Sequence, residues 1–75
     1  MKEKVISILK EINEEILDYE GTNMVEDEII TSLDMIEIVS ALEDEFEVSI
    51  SAKYINADEF ATVDSICELV EKLRA

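Results

Sequence analysis

The sequence predicts an all-α fold, a four-helix bundle of three longer helices and one short helix, with a long loop between the first and second. Three observations predict it. Apolar residues recur at three- and four-residue steps in three separate segments, the chain has no proline and one glycine, and hydroxyl-bearing residues stand where two of those segments begin. Seventy-five residues, 1–75, make one domain.

In the first segment Val5, Leu9, Ile12 and Ile16 step by four, three and four, with Ile8 beside them. This predicts one helix from about Lys2 to Leu17 with a solvated Lys/Glu-rich outer face. The period fails after Asp18-Tyr19-Glu20-Gly21-Thr22-Asn23, and about a dozen residues run on to Thr31, pinned by Met24, Val25 and Ile29 or Ile30. That is long for a helix connection. The second helix is expected to start at Thr31 or Ser32, because Thr31-Ser32-Leu33-Asp34 reads as a capping box with Thr31 at the N-cap and Asp34 reaching back. It is expected to end near Phe46 or Glu47. Val48-Ser49-Ile50-Ser51 then alternates, Ser51 is placed to cap a brief helix through Lys53-Tyr54-Ile55, and Thr62 to cap the last one. Val63, Ile66, Cys67, Val70 and Leu73 keep helical spacing there, with Lys72 and Arg74 in the final turn, where cations complement the helix dipole.

Composition excludes whole classes of function. Six Lys+Arg against twenty Asp+Glu give a net charge of −14, which repels nucleic-acid phosphates and anionic membrane surfaces and favours a basic protein partner. An apolar content of 48% separates the chain from an acidic disordered tail. A chain this size exposes about 4,700 Å² when folded, too little buried volume for a deep substrate cleft. With no histidine and one cysteine, Cys67, there is no intramolecular disulfide, no zinc-ligand set, and no Ser-His or Cys-His nucleophile pair. The expectation is a soluble, cytoplasmic, non-enzymatic monomer without a metal. Cys67 lies on the apolar stripe of the last helix and reads as a buried thiol, Tyr19 and Tyr54 as partial core, and the carboxylate clusters as solvated surface that weakly collects cations.

Winding the second helix at about 100° per residue puts Met35, Ile38, Val39, Leu42 and Phe46 between roughly 140° and 240°, a core stripe. Leu33 and Ile36 fall outside it, among Glu37, Ser40, Glu43 and Asp44. Two readings stand: a neighbouring loop or helix covers them, or they form the apolar middle of an acidic-rimmed docking patch suited to a basic groove. Ser32 sits at the same helix start, next to unpaired backbone amides and the positive end of the dipole, where a phosphoryl ester is electrostatically favoured. On spacing alone the reading that prevails is a helix-start serine of no special role, since serine is common at such positions.

The run Met24-Val25-Glu26-Asp27-Glu28-Ile29-Ile30-Thr31-Ser32-Leu33-Asp34-Met35-Ile36-Glu37-Ile38-Val39-Ser40-Ala41-Leu42-Glu43-Asp44-Glu45-Phe46 resembles the central stretch of the acyl carrier proteins. In that family Phe-Val-Glu-Asp-Leu-Gly-x-Asp-Ser-Leu-Asp opens the second helix, which continues as Glu-(Leu/Ile)-Val-x-Ala-Leu-Glu-(Glu/Asp)-Glu-Phe. Downstream, Ile50-Ser51 and Phe60-Ala61-Thr62-Val63-Asp64-Ser65-Ile66 resemble further family segments, so the likeness covers essentially the whole chain. It implies that Ser32 is the covalent attachment point for 4′-phosphopantetheine, delivered from coenzyme A by a holo-synthase, a phosphopantetheinyl transferase. It further implies that the arm's thiol carries acyl intermediates as thioesters to acyl-transfer or synthase enzymes with basic docking surfaces, in fatty acid, polyketide or related biosynthesis. Leu33, Asp34, Ile36, Glu37, Ser40, Glu43 and Asp44 lie where the family's recognition helix meets those partners, Ser40 replacing a residue often apolar there.

Two departures stand out. Ile29 and Thr31 occupy the places of the family's glycine and of the aspartate before the serine. Thr31 can cap the helix, but it removes a carboxylate that in the family helps the transferase and its metal engage the site. Ile29 implies a different loop backbone, since a β-branched residue does not accept positive φ, and a loop that packs more apolar surface. Three alternatives remain beside the acyl carrier: an aminoacyl or D-alanyl carrier loaded by an adenylating enzyme, an unmodified carrier-like adaptor on a basic partner, and an acidic nucleic-acid mimic.

Overall fold

A computed structural model describes residues 2–74, and among these every regular element is helical. Helix α1 runs Lys2–Ile12, α2 is a single turn at Glu15–Asp18, α3 runs Ser32–Phe46 and α4 Val63–Arg74, with a 3₁₀ turn at Ala52–Tyr54 between the last two. Helix α1 packs against α2, α3 and α4, and α4 also packs against α3. The three longer helices and the short one of the all-α bundle are therefore present.

The expected single helix from Lys2 to Leu17 is broken. Asn13 still donates its amide to the Leu9 carbonyl at 2.8 Å, but its Oδ1 accepts the Glu15 amide at 2.9 Å and starts a new turn. Bonds in that turn are of the tighter three-residue kind, from Ile16 to Asn13 and from Leu17 to Glu14, both 3.2 Å. The physical reason is local: an asparagine side chain competes with the backbone for its own amides. The short turn still delivers Ile16 to the core and leaves Leu17 exposed.

The connection from Tyr19 to Thr31 is ordered by side chains. The Tyr19 hydroxyl donates to the Asp27 carboxylate and accepts from the Asn23 amide, each at 2.6 Å. Asn23 accepts from the amides of Val25 and Glu26 through Oδ1 and donates to the Ala57 carbonyl through Nδ2 at 3.1 Å. The Met24 amide reaches the Ala61 carbonyl at 2.7 Å, so this loop is sewn to the segment before α4. Gly21 is required by close approach, since any side chain there would run into the Tyr19 hydroxyl.

Met24 and Ile30, from the loop, are as buried as Leu9, Ile38, Leu42 and Phe60, and no polar or charged side chain is buried among the described residues. This matches the expectation of a loop rich in packed apolar surface. The accessible area is 4730 Å², in line with the size scaling. Ile29 does not take positive φ; the left-handed residue is its neighbour Glu28, at φ 60°. Val48 to Ser51 alternates in burial without pairing as a strand, and Ser51 stands at the N-cap of the 3₁₀ turn without a capping bond from its side chain. Thr62 does cap α4, its Oγ1 accepting the Ser65 amide at 3.1 Å while Ser65 Oγ accepts the Thr62 amide at 3.0 Å. Cys67 is buried, and desolvation pushes its thiol pKa above the ordinary value.

Candidate functional site

The candidate site is the first turn of α3. Thr31, at φ −100° and ψ 176°, is extended rather than helical and sits at the N-cap. Its Oγ1 accepts the Asp34 amide at 3.2 Å, and Asp34 Oδ2 accepts the Thr31 amide at 3.1 Å, so the capping box expected from four residues of sequence is formed in both directions. The Met35 amide goes to the Thr31 carbonyl at 3.0 Å. These three bonds leave the amides of Ser32 and Leu33 as the forward-facing donors of the helix start.

Ser32 is the first helical residue and is exposed. Its hydroxyl therefore stands at the positive end of a fifteen-residue helix, beside two amides that suit an anionic oxygen. An esterified phosphate fits this donor set. Among the described residues no group of three or more His, Cys, Asp or Glu is arranged to hold a metal ion.

Leu33 is 67% and Ile36 57% exposed, so neither a loop nor a neighbouring helix covers them. Glu37, Ser40 and Asp44 are exposed along the same helix, and Asp34 is half-buried by its part in the box. Glu43 differs. Its Oε2 accepts the Ile50 amide at 2.8 Å, which ties the end of α3 to the segment after it and commits one carboxylate oxygen to the fold. Nothing in the helical winding indicated that bond, because its partner lies beyond the helix. Sequence reading also missed Asn13, whose Nδ2 donates to the Ile29 carbonyl at 2.8 Å just ahead of the site. The available signal was an asparagine, a residue that competes for backbone amides, at the edge of the apolar stripe.

A groove of about 310 Å³ lies elsewhere, between the start of α1, the α2 turn and the start of α4, with Ile6, Leu17, Tyr19 and Val63 among its walls. No helix among the described residues is long and apolar enough to cross a membrane.

No curated protein and no solved structure matches the chain. The family model described as phosphopantetheine attachment site matches residues 2–70, from the start of α1 into the last turns of α4. With that match running through every helix of the fold, the chain belongs to the phosphopantetheine attachment site family and is a phosphopantetheine-carrier domain.

Proposed function

We propose that Ser32 carries the 4′-phosphopantetheine and that the chain is an acyl carrier protein serving fatty acid, polyketide or related biosynthesis in the cytoplasm. The observation that carries this reading is the exposed Ser32 hydroxyl as first residue of α3, in a frame fixed by the Thr31–Asp34 box. When bound, the group supplies a flexible arm ending in a thiol that holds acyl groups as thioesters. The chain's own residues do the rest by presentation. Thr31 and Asp34 hold the helix start; the Ser32 and Leu33 amides stabilise negative charge on the ester oxygens. Leu33 and Ile36 offer an apolar centre to the visiting enzyme, and Asp34, Glu37, Ser40, Glu43 and Asp44 offer a polar, mainly acidic rim that steers a basic docking surface. Bond making and breaking belong to the partner enzymes.

Intact-mass measurement tests the assignment after incubation with coenzyme A and a phosphopantetheinyl transferase. The wild-type chain is expected to gain one arm and Ser32→Ala none. An unmodified wild-type chain, or a modified alanine variant, overturns it. Thr31 in place of an aspartate favours a second reading, an unmodified adaptor docking through the same patch, and the first of those two outcomes would support it.

A further inference from the structure

We propose that Asn13 is a positioning residue for loading of the arm; the inference rests on the reading of Ser32 as the attachment point. The Asn13 carboxamide makes two bonds with separable purposes. Its Oδ1 accepts the Glu15 amide and begins the α2 turn, and that half alone explains a residue that stops α1. Its Nδ2 donates to the Ile29 carbonyl at 2.8 Å, across sixteen residues of sequence, and stopping a helix does not need that bond.

Ile29 stands two residues before the N-cap of α3 and three before Ser32. The amides of Ile29 and Ile30 both turn back to the Met24 carbonyl, at 2.8 and 3.3 Å, so residues 24–30 form one closed unit, with Glu28 in the left-handed region at its bend. The start of that unit is fastened to the segment before α4 through Met24–Ala61 and Asn23–Ala57. Its other end, the one that leads into Ser32, is fastened to α1 by Asn13. The tether thus fixes where the chain enters α3, in the place where Ile29 and Thr31 depart from the glycine and aspartate of the resemblance.

Cutting the tether lets the entry to α3 sample frames in which Ser32 is not presented. A transferase that binds only the presented frame then needs more carrier protein, so its KM rises by the reciprocal of the presented fraction and kcat stays as it was. One neutral hydrogen bond of ordinary net strength shifts the ratio of presented to unpresented frames about three- to tenfold, which sets the upper limit of the rise in KM.

Two variants separate the halves of the carboxamide. Asn13→Asp keeps an acceptor for the Glu15 amide and loses the donor to Ile29. Asn13→Ser does the same without adding charge, since a hydroxyl can cap a turn but is too short to reach the carbonyl. Asn56→Asp is the matched control: Asn56 accepts the Glu59 amide at 2.8 Å and donates to the Lys53 carbonyl at 2.7 Å, the same chemistry in the connection before α4. Steady-state arm transfer from coenzyme A to the full chain is followed at a temperature where circular dichroism shows every variant folded. Both Asn13 variants are expected to raise KM, by up to about tenfold, with kcat within about twofold of wild type, and to speed amide exchange at Ile29 to Thr31 but not in α4. Asn56→Asp is expected to lower the melting temperature and leave KM unchanged. Asn13 variants that shift KM no more than Asn56→Asp, or that lower kcat alone, overturn the proposal. A wild-type chain that accepts no arm overturns the reading of Ser32 instead, so the two failures are distinct.

Discussion

At the scale of a residue, Tyr19 shows how one hydroxyl orders a loop. It donates to Asp27 and accepts from Asn23, and partial burial, then the bond to Asp27, raises its pKa above the ordinary 10.0. A raised value means the fold prefers the protonated phenol. Its contribution to stability is therefore complete below about pH 10 and is lost as pH climbs through the folded value. Tyr19→Phe cannot ionise. It is expected to melt about 5 °C lower at pH 7, having lost both bonds, and to lose less stability than wild type as pH rises above about 10. Cys67, also raised by desolvation, titrates in both proteins, so the difference between their melting curves isolates Tyr19. Parallel pH profiles would remove the phenol from the account. Neither bond of Tyr19 was legible in the sequence, because both depend on how residues 19–27 close. That Leu33 and Ile36 lie off the core stripe of α3 was legible, since helical winding fixes the angle between any two side chains of one helix; that nothing covers them was not, because it depends on the neighbouring segments.

At the scale of an element, α3 is defined by its two ends. The start is held by the Thr31–Asp34 box, and the stop is Glu47, at φ 53° and ψ 45°, a left-handed position that glycine fills with less strain. Thr31→Ala is expected to cost about 1 kcal/mol in urea unfolding. Glu47→Gly is expected to gain about 0.5 to 1 kcal/mol. The two sites lie a whole helix apart, so the double variant should return to within about 0.5 kcal/mol of wild type with an unchanged denaturant slope. A double variant as weak as Thr31→Ala alone would mean that Glu47 is not strained. The start of α3 was legible because all of its chemistry lies within four consecutive residues. The break in α1 was masked: its cause, the Asn13–Glu15 bond, is local, but the apolar period runs on through Ile16 and hides it, while the second Asn13 bond, to the Ile29 carbonyl, is remote in sequence. Local signals placed the start of α3; the support behind it is tertiary.

At the scale of the molecule, charge sets a tension between fold and docking. Twenty acidic side chains and six basic ones share a body with a radius of gyration of 11.0 Å, close to the Debye length of about 10 Å at 0.1 M salt. At low ionic strength most carboxylates repel one another across the whole protein. The ion pairs Lys2–Asp64, Lys4–Glu45 and Lys72–Glu59 are largely exposed and offset little of this. Raising sodium chloride from about 10 mM to 500 mM is therefore expected to increase the melting temperature by several degrees. On the proposed docking face of α3 the same screening is expected to act in the opposite sense: a basic transferase would lose its attraction to Glu37, Asp44 and their neighbours, and KM for arm transfer is expected to rise over that salt range while kcat changes little. The two measurements together test whether one acidic surface governs both properties. A melting temperature that climbs while KM stays flat would leave repulsion in the fold intact but assign docking to the apolar pair Leu33 and Ile36 alone.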